Sequence, residues 1–195
     1  MKKVSIEQII RDERKVILRA TDSYLLSYPE FITYFANLET ITRHSLVIGA
    51  HFTYGWMPTI LTLKFERQEP EDALSGAVAI LNEAKRGRLA GEKELEVLRD
   101  LINNSVVGAS KLLHFINPHV YAIWDSNVYT YVNGKQPYHY QVNSPRNYLA
   151  YLDNCEEITR DKGFDHVHRS MNEKIGYEVT AYRALELVMY ASTTG

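Results

Sequence analysis

Apolar residues recur at three- and four-residue intervals along most of the chain, and that spacing restricts it to an assembly of helices. Alternation of the kind a half-buried strand needs is rare by comparison, so the expected class is all-α. The chain has 195 residues, 45% of them hydrophobic and 24% charged. That is enough for a single compact multi-helix domain over residues 1–195 with a core of its own, without help from a disulfide or a metal. One cysteine, Cys155, cannot close an internal bridge. With no charged-then-apolar leader and no apolar run of membrane-spanning length, the expectation is a cytoplasmic protein with no membrane partner.

The helix boundaries follow from capping residues and breakers. Ser5 caps a first helix expected over Ile6–Leu26, with Ile6, Ile9, Ile10, Ile17, Ala20 and Tyr24 on one arc and Arg11, Arg14, Lys15 and Arg19 opposite. Pro29 is expected to open a short helix through Leu38. The aromatic stretch Thr42–Phe65 follows, interrupted near Gly55 and Pro58. Pro70-Glu71-Asp72 starts a helix that stops at Gly87, and Glu92–Asn103 forms the next, with Leu95, Leu98 and Ile102 inward. Ser144-Pro145 opens a later helix, and Val179–Ala191 forms the last strong one. Between them, Val132–Asn143 reads as a ring-rich loop.

The densest segment is Val106-Val107-Gly108-Ala109-Ser110-Lys111-Leu112-Leu113-His114-Phe115-Ile116-Asn117-Pro118, followed by His119-Val120-Tyr121-Ala122-Ile123-Trp124-Asp125-Ser126-Asn127-Val128. A glycine turn, a helix beginning near a lysine, a proline-terminated end, an apolar link and an aspartate opening another helix follow in that order. The segment resembles the catalytic segment of the helix-hairpin-helix DNA glycosylase superfamily. The resemblance implies a helix-hairpin-helix core and activity on, or recognition of, a nucleobase in DNA. Lys111 matches the family's Schiff-base lysine and Asp125 its essential aspartate. Rings near the segment would then line a base pocket: His114, Tyr121, Trp124 and Tyr129, with Tyr138 on the loop beyond. The family's pair of closely spaced hairpin glycines is reduced here to Gly108, the interval from Lys111 to Asp125 is shorter, and the chain lacks the cysteine quartet of an iron–sulfur cluster. No cofactor is expected.

Each residue also has a structural reading. Asp125 before Ser126-Asn127-Val128 is a good helix N-cap, which alone implies no chemistry. Lys111 in a first helical turn can be solvated, His114 can be a hydrogen-bonded core-edge histidine, and Trp124 can be core. Arg183, one turn from Glu186 in the last helix, needs a carboxylate partner, and Glu186 or Asp125 can serve. His166 and His168 would share one side of an extended segment and bind zinc if Asp165 or Glu173 supplied a third ligand.

With 22 basic and 24 acidic residues, the net charge of -2 excludes a strong nonspecific polyanion binder. DNA would have to be met by a local basic surface, the Arg11–Arg19 stripe or Lys85-Arg86-Arg88, both interleaved with acids. The phosphate loop, the dinucleotide fingerprint, the zinc-protease motif and the nucleophile elbow are absent, so nucleotide hydrolysis, nicotinamide chemistry and the common hydrolases have no support. The reading from another class is a non-catalytic all-α binding or regulatory module. The sequence does not specify an oligomeric state.

Overall fold

The computed structural model describes residues 1–19, 21–57, 59–65 and 69–194. Among them the chain forms eleven α-helices: α1 Ile6–Glu13, α2 Ser23–Ala36, α3 Arg43–Trp56, α4 Pro70–Lys85, α5 Glu92–Leu101, α6 Val106–Ile116, α7 Ser126–Asn133, α8 His139–Val142, α9 Pro145–Thr159, α10 Phe164–Ile175 and α11 Ala181–Thr194. The only β-type pairing among the described residues is an isolated antiparallel bridge between Leu63 and Ile102. No helix among them is long and apolar enough to cross a membrane.

The sequence caps act as their chemistry dictates. Ser5, Ser105, Asp125 and Ser144 each accept a backbone N–H of the following first turn, and Thr42 forms a reciprocal capping box with Ser45. Pro70 opens α4, and Gly87, Gly134 and Gly176 follow α4, α7 and α10 with positive φ, the conformation a glycine adopts without steric cost.

The structure departs from the periodic reading in four main places, one of them the expected Val132–Asn143 loop, where α8 forms over His139–Val142. The first helix ends at Glu13 rather than near Leu26. Lys174 from α10 donates to both the Glu13 carbonyl and its carboxylate, and Ser170 donates to that carboxylate, so tertiary partners take the last turn's groups. Ala20, assigned to that arc, lies outside the described residues. Pro29 does not start a helix; it sits inside α2. A proline there cannot donate to the carbonyl four residues earlier, that of Leu25, and Tyr177 Oη donates to this carbonyl at 2.7 Å instead. His166 and His168 lie on α10, not on an extended segment. Residues two apart on a helix face away from each other, and His168 Nε2 donates to Val179 O at 2.7 Å. No group of three potential metal ligands occurs among the described residues.

Helix α6 runs through the centre and packs against α2, α3, α4 and α5. Gly108 makes the approach of α3 feasible, because a Cβ at that position would lie 2.4 Å from Tyr54 Oη. Its role is close packing. The turn preceding α6 is made instead by Asn103 and Asn104, both with positive φ. Asn103 also holds the segment after α3, accepting from Thr62 N and donating to Ile60 O.

Candidate functional site

Ser110 and Trp124 bring the two motif residues together. Ser110 Oγ accepts from Trp124 N at 3.2 Å and donates to Val107 O at 2.8 Å, so the link after α6 is fastened one residue before Lys111 on one side and one residue before Asp125 on the other. Helix α7 then packs along α11. The Asp125 carboxylate divides its work. One oxygen, Oδ1, accepts from Asn127 N and Val128 N at 2.9 Å each. The other, Oδ2, lies 4.0 Å from Lys111 Nζ, with only 11% of the Lys111 side chain and 14% of the Asp125 side chain exposed. Asp125 is therefore a cap and the charge partner of Lys111 at once, and Lys111 is not a solvated surface lysine.

Lys111 Nζ stands 5.4 Å from the centroid of the Trp56 ring at the end of α3. Desolvation is the main cause that pulls its pKa below the usual lysine value; Arg183 pulls the same way, and Asp125 and Glu186 oppose. A larger fraction of neutral amine results than an exposed lysine has.

A second buried charge pair shares this surrounding. Arg183 donates through Nη1 to Glu186, not to Asp125, and both side chains are almost fully enclosed. The guanidinium carbon lies 4.8 Å from the Tyr28 ring centroid and 5.5 Å from that of Trp56, so one indole faces both Arg183 and Lys111. Burial raises the Glu186 carboxyl to about 7, partly offset by Arg183, and the Asp125 charge adds to the rise. Tyr24 and Tyr190 complete the outer edge. Both are partly exposed, their ring centroids are 6.2 Å apart, and Tyr24 meets Trp56 edge-on at 6.5 Å while its carbonyl accepts from Trp56 Nε1.

The ring residues expected to line a base pocket lie elsewhere in the packing. His114 is fully buried, with Nδ1 against Tyr121 O at 2.6 Å and Nε2 against Tyr28 Oη at 2.8 Å. A carbonyl can only accept, so Nδ1 carries the proton and Tyr28 donates to Nε2. Burial drives the His114 pKa down to about 3, and the imidazole is neutral. Tyr121, also fully buried, donates to Arg88 O and accepts from Ala90 N. Trp124 donates to Val142 O within a ring cluster containing Tyr129, Tyr148 and Tyr151. Tyr129 is 5% exposed. Tyr138 is 69% exposed and stacks on Tyr140 with centroids 5.8 Å apart. The ring beside Lys111 is Trp56 of α3, and the rings around Trp56 and Arg183 come from α2 and α11, which no local motif marks.

Acids engage part of each basic feature. Arg86 and Arg88 pair with Glu83, Arg88 also pairs with Glu94, and Lys85 Nζ donates to Phe35 O. Arg11 and Lys15 both approach Asp12. No protein-family model, curated protein or solved structure matches the chain.

Proposed function

We propose that the Lys111–Asp125 pair is the reactive centre of a DNA glycosylase-like activity that attacks the anomeric carbon of a nucleoside in DNA. The observation that carries this reading is the 4.0 Å approach of Lys111 Nζ to Asp125 Oδ2, both largely enclosed, beside the Trp56 ring. In the reaction the amine lone pair forms a bond to C1′ as the glycosidic carbon–nitrogen bond breaks. The bonding electrons leave with the base, which takes up a proton. Loss of the amine proton and opening of the sugar at its ring oxygen then give an imine on Lys111. Asp125 Oδ2 would stabilise the positive charge that develops on the sugar, and its fixed cap bonds keep it from reorienting. The lowered pKa of Lys111 favours the neutral amine that the attack requires.

The test is base release from a panel of duplexes, each with one damaged or mismatched base, measured for wild type, Lys111→Met and Asp125→Asn. The expected result is release from at least one duplex, lost in Lys111→Met and reduced by about a hundredfold or more in Asp125→Asn. No release from any duplex, together with salt-dependent DNA binding that survives both substitutions, would identify a non-catalytic binding module instead.

A further inference from the structure

Arg183 has a use beyond its bond to Glu186. Its Nε and Nη2 are buried, and neither has an acceptor among the described residues. With Nη1 committed to Glu186, these two N–H groups are the parallel pair along one side of the guanidinium, the edge that grips two adjacent acceptors in a plane. Leaving two donors of a buried cation unpaired is costly, and that cost is recovered when a ligand supplies the acceptors.

We infer that Arg183 is the recognition residue of the Lys111–Asp125 site and that its Nε/Nη2 edge takes a neutral planar heterocycle with two neighbouring in-plane acceptors, the N7 and O6 edge of a guanine-type base. The assignment rests on the nucleobase reading of that site. Charge selects the neutral acceptor pair over a carboxylate or phosphate. Arg183 is already paired with Glu186, and Asp125 adds a second carboxylate beside Lys111, so a further anion would be buried without a counter-ion. Shape selects a flat ligand, because Tyr28 and Trp56 flank the guanidinium. Adenine is disfavoured, since it places an amino donor where guanine has O6. Trp56, whose ring faces both Lys111 and Arg183, is partly exposed and donates to the Tyr24 carbonyl.

The test uses the intact protein and four soluble probes: an N-methylated guanine, its deaza analogue with C–H in place of N7, the matching adenine, and benzoate. Binding is followed by calorimetry and by the NMR signal of the Arg183 Nε–H. The expected result is that guanine binds and moves that signal downfield, while the deaza analogue and adenine bind roughly tenfold or more weakly. Arg183→Lys, which keeps the charge but not the edge, should lose the preference; if that variant does not fold, the probe series on wild type decides alone. Equal binding of guanine and its deaza analogue, preference for benzoate, or an unmoved Arg183 signal each overturns the assignment. Lys111-dependent base release without guanine preference would overturn the Arg183 role and leave the glycosylase-like reading standing. Guanine-selective binding without base release would do the reverse.

Discussion

His114 and Glu186 should give the protein two opposed pH dependences, each exposed by a single substitution. His114 is held neutral, its pKa lowered from 6.5 to about 3 chiefly by desolvation. The unfolded chain therefore binds the proton more readily, and stability present above pH 6.5 is lost as the pH falls toward 3. Glu186 is raised from 4.5 to about 7, again chiefly by desolvation, so the native state binds the proton more readily. Its contribution is fully present below pH 4.5 and is lost as the pH rises through 7. Both groups are fully buried, and a tenfold difference in proton affinity between folded and unfolded chains is worth about 1.4 kcal/mol. Each group therefore changes stability by about 3 kcal/mol between pH 7 and 4.5, in opposite directions. Urea denaturation across this range compares each variant with the wild type, whose own profile also carries the lowered carboxyls of Asp12, Glu13, Glu83 and Glu94. Relative to wild type, His114→Phe should gain stability as the pH falls, and Glu186→Gln should lose it over the same interval. At pH 7, His114→Phe should also be less stable by about 2–5 kcal/mol, because Tyr28 Oη and the Tyr121 carbonyl lose their buried partner. Parallel pH profiles for wild type and both variants would refute the neutral assignment of His114 and the shared burial of the two groups.

Other substitutions test the packing and the positioning. Gly108→Ala should destabilise by about 1–2 kcal/mol despite a helix-propensity gain of about 1 kcal/mol, because the new methyl meets the Tyr54 ring; chemical denaturation measures it, and a stabilised variant would contradict the close α3–α6 approach. Tyr177→Phe should cost about 1–2 kcal/mol by leaving the Leu25 carbonyl unpaired at the proline in α2, with a change below about 0.3 kcal/mol counting against that role. Ser110→Ala should cost a similar amount in stability and lower Lys111-dependent base release by about tenfold or more, since the bond fastening the link before Asp125 is lost. Unchanged base release in Ser110→Ala would contradict the positioning role.

What the sequence reveals and what it conceals divide along the distance over which the causes act. The caps at Ser5, Ser105, Asp125 and Ser144 bond N–H groups two or three residues away, so their chemistry is readable locally. The path of α2 through Pro29 is not, because the carbonyl freed there is satisfied by Tyr177, far along the chain. Periodicity likewise extends the first helix past Glu13, where Ser170 and Lys174 of α10 take its terminal groups. For the site, the order of Lys111 and Asp125 is visible in the motif. The surrounding Trp56, Tyr28, Tyr24 and Tyr190 come from α3, α2 and α11, and only packing shows that they converge. Gly108 shows the converse: the motif suggests a turn glycine, while the structure uses it for contact with Tyr54 and makes the turn from Asn103 and Asn104.

Whether Lys111 forms a covalent bond to a sugar in DNA decides between a reactive centre and a buried ion pair. Incubating the protein with damaged-base and abasic duplexes in the presence of borohydride, then mapping the digested adduct by mass spectrometry, reads this directly. A reactive Lys111 leaves a reduced sugar linkage on the peptide that contains it, abolished in Lys111→Met and strongly diminished in Asp125→Asn. An adduct on a different lysine, or trapping that persists undiminished in Lys111→Met, would contradict it.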